Sequence, residues 1–365
     1  MKPSSVNLCL SACLLLACGN TGAPAQTYVV DGQPVLETLT TTVIIPEHHA
    51  FAASGDALVA ALQALSDDPT ADTLAAAQAA WRDTRRGFRL LDSLHIGPGY
   101  TLHITERIDS VLPVDGSGID AWVNGAAAVD DAAVANAGNG KKGFLGLEYL
   151  LFPEQGSADP ASVLASDDAA PRRRELAVSM ADEIAKSAHQ LDDAWDPDKG
   201  GYATQVELAG AGGTQYATQR AAVDDLVAGI GYALELVVGV RLAQPLGKKN
   251  GGTLAPELDL TPRSDNSVAD MQASLDGALA LYSDQGFAGV IAQRSAQLNQ
   301  VVLAEFSDGQ SKVTAIPAPF TSSLSDDTAQ VQAAYDSIKA LKKTWNTDVA
   351  SALGATVRVG DQDGD

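Results

Sequence analysis

Apolar residues recur at three- and four-residue spacing through almost every long window of this 365-residue chain, and strand-like alternation is nearly absent. Phe51, Leu58, Leu62 and Leu65 mark one such stripe, and Trp81, Phe88 and Leu91 mark the next. Residues spaced this way share one face of a helix, so packing helices together is how this chain can bury its apolar surface. Ser66-Asp67-Asp68-Pro69, Gly97-Pro98-Gly99, Pro113, Pro153 and Asp196-Pro197 punctuate the pattern. Proline and glycine stop helices there, and Thr70 or Asp72 can cap the second one. The spacing predicts helices over 43–65, 74–94, 102–112, 119–129, 142–152, 172–195, 216–242, 267–282, 286–304 and 326–353. Only 28–36 is compatible with a strand. The expected fold is all-α, built as helical bundles. The small-residue, Asp-rich stretch 156–170 is expected to divide a helical half at 43–165 from another at 166–365.

Composition agrees: hydrophobic residues make up 45% and charged residues 19%, enough for packed cores, while aromatics are only 5%. Lys plus Arg number 24 against 46 Asp plus Glu, a formal net charge of -22. That excludes nucleic acid as a partner and argues against anionic headgroups, since both need clustered cations.

Met1 and Lys2 precede a short apolar run ending in Leu15-Leu16-Ala17-Cys18. The run is too short to span a bilayer and reads as a signal peptide over 1–17. Its end is similar to a bacterial lipobox, which makes Cys18 the lipidated first residue of the mature chain. The alternative is an ordinary secretory signal with a chance cysteine. Gly19 stands where an aspartate would mark inner-membrane retention, so in a Gram-negative envelope the outer membrane is expected. Cys9, Cys13 and Cys18 are the chain's three cysteines. The mature protein therefore has no disulfide and no thiolate site. Residues 18–42 read as a tether. The ending Asp361-Gln362-Asp363-Gly364-Asp365 begins like a calcium loop but lacks the remaining ligands.

The segment Gly143-Phe144-Leu145-Gly146-Leu147-Glu148-Tyr149-Leu150-Leu151-Phe152 is apolar on every face except at Glu148. A helix apolar all round is a buried helix. A carboxylate within it must be paired, metal-bound or protonated. The other reading puts Glu148 at the rim, facing solvent or an arginine.

This segment resembles the signature of the imelysin (M75 peptidase) family, Gly-x-His-x-x-Glu followed by an aromatic and leucines. Gly143, Glu148, Tyr149, Leu150 and Leu151 match; the histidine position is Leu145. Trp81-Arg82-Asp83-Thr84-Arg85 with Phe88 and Gly97-Pro98 resembles the family's Trp-x-x-x-Arg helix and its turn. Ile108-Asp109 and Leu112-Pro113-Val114-Asp115 resemble its Pro-Val-Asp segment. Glu235, Arg241 and Pro245-Leu246 resemble its second-half helix, and Arg263-Ser264-Asp265-Asn266-Ser267 with Asp270 its Ser-Asp-Asn-Ser block. The resemblance implies two bundle halves related by duplication, and a site where motif residues of both halves meet. It points to a binding site of Glu148, Arg85, Asp109, Asp115, Arg263, Ser264, Asp265 and Asp270. Glu148 is the one candidate metal ligand.

His and Glu three residues apart share a helical face and could grip one metal. Leucine cannot, so a divalent ion such as iron or zinc is expected to bind weakly or not at all. Arg85 or Arg263 is the expected cation beside Glu148, since guanidinium suits buried pairing. Each residue also has a structural reading. Arg85 can stack on Trp81, Asp109 and Asp115 can form caps or turns, and Ser267 or Asp265 can cap a helix. His48, His49, His95, His103 and His189 lack a two-ligand spacing. The implied role is a lipid-anchored envelope binding component linked to iron uptake, with envelope or iron-uptake proteins as partners. An M75-type metallopeptidase and a non-catalytic scaffold lipoprotein are the alternatives.

Overall fold

The computed structural model describes residues 32–109, 113–157, 161–283 and 286–355. The expected signal peptide, Cys18 and the acidic ending lie outside the described residues. Among the described residues there is no strand, and no helix is long and apolar enough to cross a membrane.

Eight longer helices carry the architecture: α1 (Ile45–Asp67), α2 (Ala71–Leu90), α3 (Gly143–Leu151), α4 (Ala170–Trp195), α5 (Gln219–Glu235), α6 (Ser267–Tyr282), α7 (Ala296–Thr314) and α8 (Thr328–Thr344). Helix α1 packs along α4 and α2, and α3 fits against α4 and α2. Helices α5, α6, α7 and α8 form the second group, and α2 packs on α6 to join the two. Helix α4 lies beyond residue 165 in sequence, yet packs back on α1 and α3. Its stripe Leu176, Met180, Ile184, Leu191 and Trp195 is buried there. The change from one packing group to the next therefore falls between Trp195 and Gln219.

Local chemistry explains the element ends. Thr70 caps α2 in a reciprocal box with Thr73. Helix α4 starts with Pro171 in its first turn and stops before Pro197. The helix expected over 286–304 divides into Phe287–Arg294 and α7, because Ser295 is extended and its hydroxyl accepts from Leu298 N–H. The final residues of the expected tether are helical instead. Gln33–Leu39 is a helix continuing into a π-turn at Thr40–Ile44, with Leu36 and Leu39 buried. Their i,i+3 spacing gives that short stretch an apolar face, and Thr40 Oγ1 donates to Glu207 at 2.7 Å.

Helix α3 enters through Gly143 at φ +65°, where a Cβ would stand 2.2 Å from the Ile108 carbonyl oxygen. Trp81 Nε1 on α2 donates to Phe144 O at 3.0 Å and fixes α3 against α2. Helix α5 runs into a π-turn at Leu236–Leu242, an irregularity common beside functional residues.

Candidate functional site

The seam between α2 and α6 holds a chain of buried charges. Arg85 on α2 reaches Asp270 on α6, Nε to Oδ2 at 2.8 Å and Nη2 to Oδ2 at 2.6 Å, and its Nη1 lies 3.0 Å from Asp109 Oδ1. One turn along, Arg89 pairs with the other oxygen of Asp109 and, at 3.2 Å, with Asp92. Asp92 Oδ2 accepts from Arg241 Nη2 at 2.9 Å and from Ser274 Oγ at 2.6 Å. Asn266 Nδ2 donates to Asp270 at 2.8 Å. The order is Asp270, Arg85, Asp109, Arg89, Asp92, Arg241, with the sign alternating at each step. All six residues are buried. Alternation is what makes this possible, since an isolated charge there would lose several kcal/mol of solvation.

The electrostatics follow from this order. Burial alone pushes the Asp109 carboxyl up, but Arg89 and Arg85 outweigh it and hold it below the usual range. Burial works against the charge on Arg85, yet Asp270 and Asp109 keep it fixed as a cation.

Glu148 sits beside this chain, 1% exposed. Neither expected arginine pairs with it. Its Oε1 accepts the Ser264 N–H at 2.8 Å and the Ser264 hydroxyl at 2.6 Å. Arg85 is held by Asp270 and Asp109. Arg263 donates to Phe152 O at 3.2 Å and stacks on Tyr149. With hydrogen bonds in place of a counter-ion, burial pushes the Glu148 carboxyl up to about 7, and the two Ser264 bonds only partly oppose it. Asp259, nearby in its field, is likewise raised by burial, against hydrogen bonds from Ser267 and Thr321.

The structure thus brings together Arg85, Asp109, Asp270, Ser264 and Glu148. Asp265 adopts φ +53° and accepts the Phe320 N–H at 2.9 Å, which shapes the loop carrying Ser264. Asp115 is exposed and caps the helix Gly116–Asn124 through Gly118 N–H, apart from the charge chain. Arg89, Asp92 and Ser274 complete the network and lie outside the expected set. Arg85, Arg89 and Asp92 recur at i+4 and i+3 beside Phe88, so their common helical face was the available signal.

Arg89, Asp92 and Asp109 also line a small cavity with Arg241, His95 and Tyr232, the last two rings stacked at 4.7 Å. Its volume is about 40 Å³, room for a few waters and far too little for a peptide.

The surroundings of Glu148 do not fit a metal ion. Leu145 is buried one turn before it, and Ser264 offers two donors where a metal needs further lone pairs. Among the described residues, no group of three or more His, Cys, Asp or Glu side chains is arranged to hold one. The histidines are engaged elsewhere. His48 is buried against Trp195, His49 pairs with Asp192 and His189 with Asp56. His103 lies 3.7 Å from Glu106.

Known proteins share this arrangement of helices. The chain is similar to iron-regulated protein A of Synechococcus elongatus, 27% identical over 330 residues that cover 88% of this chain and 84% of that one. Among solved structures it is similar to a Parabacteroides distasonis protein named as an iron-regulated protein A precursor. The TM-score is 0.77 at 17% identity, covering 90% of this chain and 97% of that one. It is also similar to an imelysin-like protein from Psychrobacter arcticum, with a TM-score of 0.71 at 15% identity, covering 90% and 96%. These two likenesses concern the fold. The model of the imelysin family, Peptidase_M75, matches residues 44–345, and the chain belongs to that family.

Proposed function

We propose that this chain is a lipid-anchored, envelope-facing imelysin-family protein that serves as a binding component in iron acquisition, without peptidase chemistry of its own. The iron-related part is supported by the name of the Synechococcus relative. The anchor is supported by the lipobox-like run ending in Cys18, and the outer membrane by Gly19 after it.

The observation that carries the non-catalytic reading is the environment of Glu148. Metal-assisted hydrolysis needs several ligands, an open coordination position and a base beside bound peptide. Here the motif carboxylate receives two hydrogen bonds from Ser264, and the buried residue one turn before it is the aliphatic Leu145. Among its neighbouring charges, Arg85 is already matched by Asp109 and Asp270. Burial and the two Ser264 bonds hold this carboxyl away from bulk water.

The test combines metal content with turnover. Purified protein dialysed against Fe(II) or Zn(II) and then against buffer is expected to retain much less than one equivalent. A peptide panel is expected to show no chelator-sensitive cleavage. Stoichiometric metal that disappears in Glu148→Ala would overturn the reading in favour of the metallopeptidase.

A further inference from the structure

Two guanidiniums converge on Phe152 at the outer edge of the Glu148 site. The guanidinium carbon of Arg82 lies 4.7 Å from the Phe152 ring centroid, and its Nη2 donates to Ser264 O at 3.0 Å. Arg263, next to Ser264 in the chain, stacks on Tyr149 at 4.3 Å and donates through Nη1 to Phe152 O at 3.2 Å. Each cation thus lies over an aromatic ring and donates one hydrogen bond to a carbonyl. A guanidinium has five N–H donors, so most of each donor edge remains available. Arg82 is exposed and Arg263 half-buried.

Neither arginine forms an ion pair among the described residues. The carboxylates whose field reaches Arg82 are Glu148 and Asp265. Glu148 is covered by Ser264, and Asp265 Oδ1 accepts the Phe320 N–H. The contrast with Arg85, Arg89 and Arg241 is direct, because each of those meets a carboxylate. In a chain carrying 46 acidic residues against 24 basic ones, these two guanidiniums differ from the others of the site in having no ion-pair partner among the described residues. The planar fork of a guanidinium receives a carboxylate or phosphate by paired hydrogen bonds.

We infer that Arg82 and Arg263 form an anion subsite that receives the carboxylate or phosphate oxygens of a small ligand. The inference deepens the proposed binding role and rests on it: a binding component without metal ligands of its own holds its ligand through the ligand's anionic groups.

Titration calorimetry of the metal-free protein at low ionic strength tests this with two probes, succinate and inorganic phosphate. At least one probe is expected to bind wild type. Binding is expected to weaken about tenfold or more in Arg82→Gln and in Arg263→Gln, and to be unchanged in Arg86→Gln, whose side chain pairs with Asp276 away from the subsite. Succinate alone would assign a carboxylate, phosphate alone a phosphoryl group, and both an oxyanion site of either kind. Circular dichroism melts keep the comparison to folded variants. Should Arg263→Gln unfold, Arg82→Lys, which keeps the charge but loses the fork, is expected to bind more weakly than wild type. Failure of both probes to bind wild type, or binding that survives Arg82→Gln and Arg263→Gln alike, overturns the subsite. The outcomes separate from those of the proposed function: tight metal at Glu148 together with Arg82-dependent succinate binding would sink only the non-metal reading.

Discussion

Arg85 and Asp270 face each other across the seam between α2 and α6, with two nitrogens of one guanidinium, Nε and Nη2, on the same carboxylate oxygen. Both side chains are almost entirely removed from water. The pair is therefore a condition on how the two helix groups dock. Removing one member leaves the other charged and buried, which costs about 3–5 kcal/mol. Arg85→Ala and Asp270→Ala are each expected to lower unfolding free energy by about that amount in urea titrations. The double variant is expected to cost less than the sum of the two. Additive losses would mean that the seam is held by other contacts.

Glu148 makes stability depend on pH in a direction opposite to the ion-paired Asp109. Its folded pKa, about 7, lies above its ordinary value of 4.5. The folded protein therefore keeps a proton that the unfolded chain releases. The resulting stability is fully present below about pH 4.5 and is lost as pH rises through 7, and for a shift of this size it amounts to about 3 kcal/mol. Unfolding free energy is expected to fall between pH 5 and pH 8 in wild type, and to fall less in Glu148→Gln. An identical pH slope in the two proteins would show that Glu148 does not titrate in this window.

The fold was legible because helix periodicity and breakers are local. Thr70 capping α2, Pro197 after α4 and the span of α6 from Ser267 to Tyr282 all agree with the sequence pattern. The burial of Glu148 was also legible, from the apolar residues around it. Its partner was not. Pairing across the α2–α6 seam depends on which carboxylates reach Arg85 first, and Asp109 and Asp270 do. Ser264 meets Glu148 from a loop in which the next residue, Asp265, has a positive φ. Such a turn leaves little trace in composition. The packing of α4 with α1 was hidden for the same reason, since an apolar stripe does not name the helix that covers it.

Gly143 tests how tightly α3 is placed. Its φ of +65° disfavours any side chain, and an added Cβ would press on the Ile108 carbonyl. Gly143→Ala is expected to destabilise the protein by more than about 1 kcal/mol. Gly156→Ala provides a comparison, because that glycine also has positive φ but its Cβ would meet open space. Equal melting temperatures for the two variants would remove the close approach as the cause.

The anchor is tested outside the described residues. With a lipid on Cys18, Cys18→Ser should leave the protein unprocessed or release it to the soluble fraction. No helix among the described residues is long and apolar enough to cross a membrane. Wild type is expected to sediment with membranes and to label with a fatty-acid probe. A Cys18→Ser protein that still labels would refute lipidation at this residue.

Leu145→His restores the residue that the family motif carries, one turn before Glu148 on the same face of α3. Leu145 is 1% exposed, so the imidazole enters a buried site and destabilises it unless it finds a partner. A metal shared by the introduced imidazole and Glu148 would supply one. Zn(II) is expected to raise the melting temperature of Leu145→His and to leave wild type unchanged, since a ligand bound only by the folded state stabilises in proportion to ln(1 + [L]/Kd). Metal binding should also pull the Glu148 proton off, which calorimetry in buffers of different ionisation enthalpy detects as proton release. If Leu145→His gains no metal response, the obstacle is the Ser264 clasp. Adding Ser264→Ala then frees one donor from Glu148 and should produce the response. Its absence in that double variant as well would show that this site has lost more of the metal shell than the single histidine.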